Sequence, residues 1–505
     1  MQRNRVAVGR GPARPFMSTA SNQIVVVGSK STGWSLRLAS ARTRDLLCIV
    51  AVYLVITLLC PRPASVDAAS WRQFGVFVAT LAGLILQPLP AAAMVLVGVI
   101  AAVVLGGLGV DRALSGFGEP SEWLLLGAMF MARALTDTGL SRRVALLFVR
   151  RFGGSSLGFV YSLVLTDVTL AGGIPSISAR SGGIILPIAR SAAELYDSRP
   201  GETAGRLGGF LMAALYQASV VACAMFLTGQ AGNLLAAGLA AKIAGVTVSW
   251  SSWFVAALVP GAVSCLLIPY VVYRVLPPEI TSTPAAPEFA RQELRRLGRL
   301  SADERILLVV FGVVCLLWMT SAWTKVNVTV VTLAGIAALL VANVLTWDDM
   351  LRDRAAWDVF VWYGGLLMLG EMLNTTGVPA AFTTWIGSSL TTWPWFAVLL
   401  VTLVIYFYTH YAFATVTVHV LAMFAPFVTL AIGLGAPPKL VVYAFACLAA
   451  LPAGLTHYGT TTAPMFINGY VSVRDWWKVG LIASIANLLV WLTIGFAWWK
   501  LLGFW

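Results

Sequence analysis

Residues able to do chemistry are sparse in this chain, and they gather in two places. Residues 167–187 interrupt an apolar region: Asp167 opens the stretch, Pro175, Ser176, Ile177, Ser178 and Arg180 follow, and Pro187 closes it. Residues 408–419 repeat the arrangement with Thr415, Val416, Thr417 and His419. In each copy two hydroxyl residues flank an aliphatic one, and a cation stands two positions later. Hydroxyls, freed backbone N–H groups and helix N-termini hold anions without covalent chemistry. Arginine adds a fork of donors that fits a carboxylate. An arginine within a membrane costs about 2.5–3.5 kcal/mol at a helix centre, so Arg180 marks a functional place with an anionic partner. The plain alternatives are a surface loop between helices and a packing histidine. Asp167 either pairs with Arg180 or caps a helix end.

Catalytic constellations have little support. Gly154-Ser155-Ser156-Leu157-Gly158 satisfies the letters GxSxG, but it links two apolar runs after Arg150-Arg151, and all three histidines lie beyond residue 409. A nucleophile elbow needs a strand, a sharp turn and a base. HExxH and a Walker loop are missing, so neither zinc proteolysis nor ATP-driven pumping is indicated and no catalytic residue or bound metal is expected. The six cysteines are scattered without CxxC spacing and read as packing residues. Arg133 and Glu371 form a pair or two solvated helix ends. Tyr458 and His457 are further pocket candidates.

The elements that must position the two stretches are membrane helices. The 505 residues are 59% hydrophobic and 11% charged, which excludes an ordinary soluble enzyme. A span needs about 20 apolar residues, so the chain has room for roughly ten to fourteen spans or part-spans. Of the net charge of +13, residues 1–44 hold eight Lys/Arg and no acid, leaving +5 for the rest. The basicity therefore reads as membrane topology rather than nucleic-acid binding. We expect a basic cytosolic tail over 1–44, a first helix over 45–70, one repeat over 71–276, a cytoplasmic linker over 277–304 and a second repeat over 305–505. A plastid-targeting leader is the alternative for the tail; a bacterial inner membrane is expected.

Internal symmetry supports the repeats. Gly127, Leu135, Thr138 and Gly139 recur as Gly365, Leu373, Thr376 and Gly377, and Ser176–Arg180 matches Thr415–His419. The loops Thr228–Asn233 and Thr456–Thr462 form a third pair. Secondary transporters are often built so, with the substrate between the copies near the bilayer midplane. Irregular backbone at membrane depth survives only where protein or a water-filled cavity satisfies it, so each hydroxyl-bearing stretch is expected to be a re-entrant hairpin tip.

On Pro175–Pro187 (PSISARSGGIILP), His410–His419 (HYAFATVTVH), Leu195–Asp197, Met225–Thr228, Leu455–Gly459 and Trp498–Gly503, the chain from about residue 45 to 505 resembles the divalent anion/sodium symporter superfamily, in its citrate/dicarboxylate and plastid 2-oxoglutarate/malate translocator branch. The resemblance implies an all-α polytopic membrane protein, an inverted repeat of about 11 transmembrane helices with two re-entrant hairpins, assembled as a homodimer that works as an elevator. It implies a substrate site at Ser176, Ile177, Ser178, Arg180, Gly229, Asn233, Thr415, Val416, Thr417, His419, Gly459 and Thr460. In sodium-coupled members tip and facing loop also form a sodium site, here Ser176, Asn233 and Thr415. The sequence departs from the pattern: the tip asparagines are Ile177 and Val416, and the Pro-Pro-Asn loops are Ala231-Gly232-Asn233 and Thr460-Thr461-Thr462. Each tip loses an amide oxygen that sodium would use.

These losses shape the expected coupling. A dicarboxylate near mid-membrane needs compensating charge. With Arg180 fixed and His419 protonatable, the empty site would cross reluctantly and exchange of one carboxylate for another would follow. Sodium-coupled symport of a dicarboxylate or sulfate is the alternative, and an anion channel a third. No cofactor beyond sodium is expected; the partners are small carboxylate anions and lipid.

Overall fold

The structure, a computed structural model, describes residues 31–390 and 392–505, and the side chains of those residues other than 31–41, 383 and 386–390. The chain divides into two units, residues 1–44 and 45–505. Most of the expected tail lies outside the described residues. From Ser31 a helix runs to Leu54.

Among the described residues no strand forms beyond an isolated bridge between Ser155 and Ser282. Seven described helices are long and apolar enough to cross a membrane, by length and composition: Ala68–Leu86, Gly208–Met225, Trp250–Val275, Ala302–Thr324, Trp395–Ala412, Val416–Gly433 and Val473–Leu501. Shorter apolar helices, among them Ala91–Val104, Ser156–Ala171, Ala231–Ala244 and Val328–Val341, stand between them. Helices meet the demand that backbone groups in lipid be satisfied within the segment. Polar caps set their starts: Ser249 and Ser301 each form a capping box, and Asp67, Asn327 and Ser472 accept backbone N–H groups.

The order of elements occurs twice, and the two halves exchange helices. Ala91–Val104 packs on Arg354–Thr375 of the second half, and its counterpart Val328–Val341 packs on Pro120–Asp137 of the first. Reciprocal pairing of this kind is what a two-fold relation between copies produces. The repeated glycines sit at these crossings. A Cβ on Gly127 would meet Thr332 Cγ2 at 2.6 Å, and one on Gly365 would run into Val95. Gly139 and Gly377, with φ of 80° and 72°, start the next helices from the left-handed region that a side chain resists. Leu135 and Leu373 are buried beside them.

The stretch 277–304, soluble in composition, is strapped to the first half. The N–H groups of Glu279 and Ile280 donate to the carbonyls of Gly205 and Arg206, and that of Thr283 to Gly154. A helix, Ala285–Leu297, then packs along Leu140–Phe152, with Arg142 on Glu293 at 2.7 Å and Arg143 on Glu304 at 2.8 Å.

Candidate substrate site

The first tip follows Ser156–Ala171. That helix stops at Gly172 and Gly173, and Pro175 supplies no N–H. Helical backbone resumes over 177–195, with a π-helical stretch at Ala179–Ile185. Ser176 caps this start: its Oγ accepts the Ala179 N–H at 3.2 Å and its carbonyl the Arg180 N–H at 3.1 Å. The second tip is built alike. Beyond Trp395–Thr409 and the turn His410–Ala412, Thr415 caps Val416–Gly433, its Oγ1 accepting the Val418 N–H at 3.2 Å and its carbonyl the His419 N–H at 3.2 Å.

Both tips open on one cavity of about 610 Å³. Ser176, Ile177 and Ser178 line it from the first half, Thr415, Val416 and Thr417 from the second, with Gln230, Thr460 and Thr461 from the facing loops. Further wall comes from Gln87, Pro88 and Pro90 near the start of the first half, and from Val359, Trp362 and Leu366 on the helix Arg354–Thr375 of the second. Among the described residues, neither the Ser178 hydroxyl nor that of Thr417 has a protein partner, so both are free to meet a ligand. No Lys, Arg, His, Asp or Glu is among the described lining residues. Positive potential comes instead from helix ends. Four helical runs begin at the wall, with Ile177, Val416, Ala231 and Ala91, and each start carries roughly half a unit charge.

Arg180 and His419 stand behind the tips rather than on the wall. The Arg180 guanidinium is fully buried: Nε donates to Asp167 Oδ1 at 2.7 Å, Nη1 to the carbonyls of Ile174 and Gly229, and Nη2 lies 2.8 Å from Cys223 Sγ. It clamps the tip to its facing loop, and Asp167 neutralises it. The charge built in for the ligand is therefore not this arginine. His419 is also buried, its ring 4.5 Å from that of Tyr406 and its Nε2 3.0 Å from the Tyr406 carbonyl. A carbonyl only accepts, so Nε2 carries the hydrogen. In this half the tip is tied to its loop by backbone, the Thr460 N–H donating to the Ala414 carbonyl at 3.0 Å.

Asn233 does not reach the cavity. Its amide N donates to the carbonyls of Cys223 at 2.7 Å and Phe226 at 2.8 Å, and its Oδ1 accepts from Gln230 Nε2 at 3.0 Å. Of the oxygens expected to serve sodium, Ser176 Oγ and Thr415 Oγ1 each accept a backbone N–H and Asn233 Oδ1 accepts from Gln230, while the neighbouring Ile174 and Gly229 carbonyls accept from Arg180. Gly229 must be glycine because a Cβ would approach the Cys223 carbonyl at 2.5 Å. Gly459, off the wall, accepts the Thr462 and Ala463 N–H groups and shapes the second loop.

Other candidates resolve by geometry. Arg133 pairs with Asp137, and Glu371 with Lys242, which also holds Glu119. Tyr458 donates to the Tyr411 carbonyl and His457 accepts from Trp477, both off the wall. Ser156 of the GxSxG pentapeptide donates to the Ile280 carbonyl and lies in a helix start, not an elbow. Gln230, Gln87 and Trp362 were missed. The Pro88-Leu89-Pro90 step ahead of an apolar run, a helix-start signal, was the available clue to that wall.

Comparison with known proteins agrees with this architecture. The family described as the sodium:sulfate symporter transmembrane region matches residues 40–505. YflS of Bacillus subtilis is 40% identical over 91% of this chain and 96% of its own. The dicarboxylate transporter 1, chloroplastic, of Arabidopsis thaliana is 40% identical over 92% of this chain and 84% of its own. Among solved structures, the YdaH transporter of Alcanivorax borkumensis aligns with a TM-score of 0.50 over 92% of this chain and 98% of its own, at 14% identity, which speaks to fold alone. With that extent of match joined to paired broken-helix tips around one cavity, the chain belongs to the sodium:sulfate symporter family of integral membrane transporters.

Proposed function

We propose that the protein exchanges one di- or tricarboxylate for another, of the malate, succinate, 2-oxoglutarate or citrate class, without obligatory sodium. The carrying observation is the single cavity into which both tips turn their free hydroxyls, Ser178 and Thr417, at the starts of converging helices. One carboxylate meets each tip. The kinship with a chloroplast dicarboxylate transporter, 40% identical, supports the substrate class. Sodium independence is supported by Arg180, a resident cation that already joins the carbonyls of Ile174 and Gly229.

Exchange follows from the helix ends rather than from Arg180 or His419. An empty cavity leaves four partial positive ends uncompensated, each about half a unit charge, whereas a bound dianion offsets them. The empty form therefore crosses reluctantly. The cavity lies between the tips with their loops and the segments around Gln87 and Trp362. That division supports an elevator-type movement of the first set past the second, in the homodimer that the family resemblance implies.

The test is counterflow in liposomes preloaded with unlabelled malate, succinate or 2-oxoglutarate. Labelled uptake should need the internal anion and persist when choline replaces sodium. Uptake into empty vesicles that requires a sodium gradient would establish symport instead, and flux indifferent to both would establish a channel.

A further inference from the structure

A second concave site lies far along the sequence from the tips, in the arginine-rich strap. A cleft of about 440 Å³ is lined by Arg150, Arg291, Leu294, Arg295, Gly298 and Arg299. It forms along two helices packed antiparallel, Leu140–Phe152 and Ala285–Leu297, where Arg150 of the first shares one concavity with Arg291 and Arg295 of the second and Arg299 just beyond it. Neighbouring charges are already matched: Arg142 and Arg296 hold Glu293, Arg143 holds Glu304, and Arg291 holds Glu288. Arg150, Arg295 and Arg299 have no partner among the described residues, and no acid lines the cleft. Three unmatched guanidinium groups in one concavity call for an anion.

Its place beside a spanning helix says which anion. Arg299 stands three residues before Ala302, where the spanning helix Ala302–Thr324 begins, and Arg150 six before the apolar helix Ser156–Ala171. An arginine cluster immediately beside a spanning helix meets the anionic surface of a bilayer. Exposed Leu147, Phe152 and Leu300 flank them and offer apolar surface to an acyl chain. We infer that this cleft binds the phosphate headgroup of an anionic glycerophospholipid, and that the lipid secures the strap against the first half.

The full-length protein is purified in detergent, and its unfolding midpoint is measured with phosphatidylglycerol, with phosphatidylcholine of the same chains and with soluble glycerol phosphate; bound lipid is counted by native mass spectrometry. The phosphatidylglycerol should raise the midpoint and be retained over phosphatidylcholine. Each arginine near an anionic surface contributes about 1 kcal/mol, so the variant R150Q/R295Q/R299Q should lose on the order of a hundredfold in that preference. Its midpoint in phosphatidylcholine should match wild type, and R150K/R295K/R299K should keep most of the preference. Retention of the full preference by the glutamine variant overturns the proposal, as does an equal shift from phosphatidylcholine. A shift produced by glycerol phosphate alone overturns it too, in favour of a soluble organophosphate.

Discussion

At the scale of single residues, the account turns on which side chains face the cavity. Ser178 and Thr417 do, and each should give a carboxylate one hydrogen bond worth about 1.5–3 kcal/mol. Ser178→Ala and Thr417→Val should therefore each weaken dicarboxylate binding by roughly ten- to a hundredfold. Neither should lower the unfolding midpoint, because among the described residues neither hydroxyl has a protein partner to lose. Calorimetric titration beside a thermal melt separates the two readouts. Arg180 should behave oppositely. Arg180→Gln strands the buried Asp167 carboxylate, at about 3–5 kcal/mol, while adding Asp167→Asn should recover part of that loss in the melt. The hydroxyl pattern is legible in the sequence, and so is the direction of the cations. Residues two apart on a helix lie about 200° apart, so a serine facing the cavity turns the arginine two positions later away from it. His419 follows Thr417 by the same interval and turns inward for the same reason.

At the scale of elements, the repeated glycines carry the architecture. Gly127→Val should drive Thr332 aside and Gly365→Leu should displace Val95, each loosening a crossing between halves by about 1–3 kcal/mol. Gly312→Ala, a helix-interior glycine with open space around its Cβ position, should be neutral or slightly stabilising. Thermal melts of the three variants check the contrast. The broken helices were readable because glycine and proline interrupt apolar runs at both tips. The helix start at Ala91 was signalled by the prolines before it, but its place on the cavity wall was not, since that depends on where other elements bring it. Asn233 illustrates the converse: its residue type promised a ligand contact, but its amide closes its own loop onto the carbonyls of Cys223 and Phe226.

At the scale of the whole molecule, composition alone carried the membrane reading. What composition concealed is that the charged strap is folded against the first half. Arg143 grips Glu304 with two donors, at 2.8 and 3.0 Å, and also donates to the Gly298 carbonyl. Despite exposed arginines at 291, 295, 296 and 299, the strap should resist trypsin in the intact protein. Glu304→Gln should release it, giving early cleavage between Arg291 and Arg299 in limited proteolysis followed by mass spectrometry. Equal resistance of variant and wild type would show that the backbone pairing near Gly205 and Gly154 suffices.

The most direct measurement is a cryo-electron microscopy map of the protein with malate bound. It should show one anion spanning the cavity, with a carboxylate within hydrogen-bond distance of Ser178 Oγ, the other of Thr417 Oγ1, and Arg180 still on Asp167. An anion that touches one tip only, or an Arg180 swung away from Asp167 onto the ligand, would contradict the account.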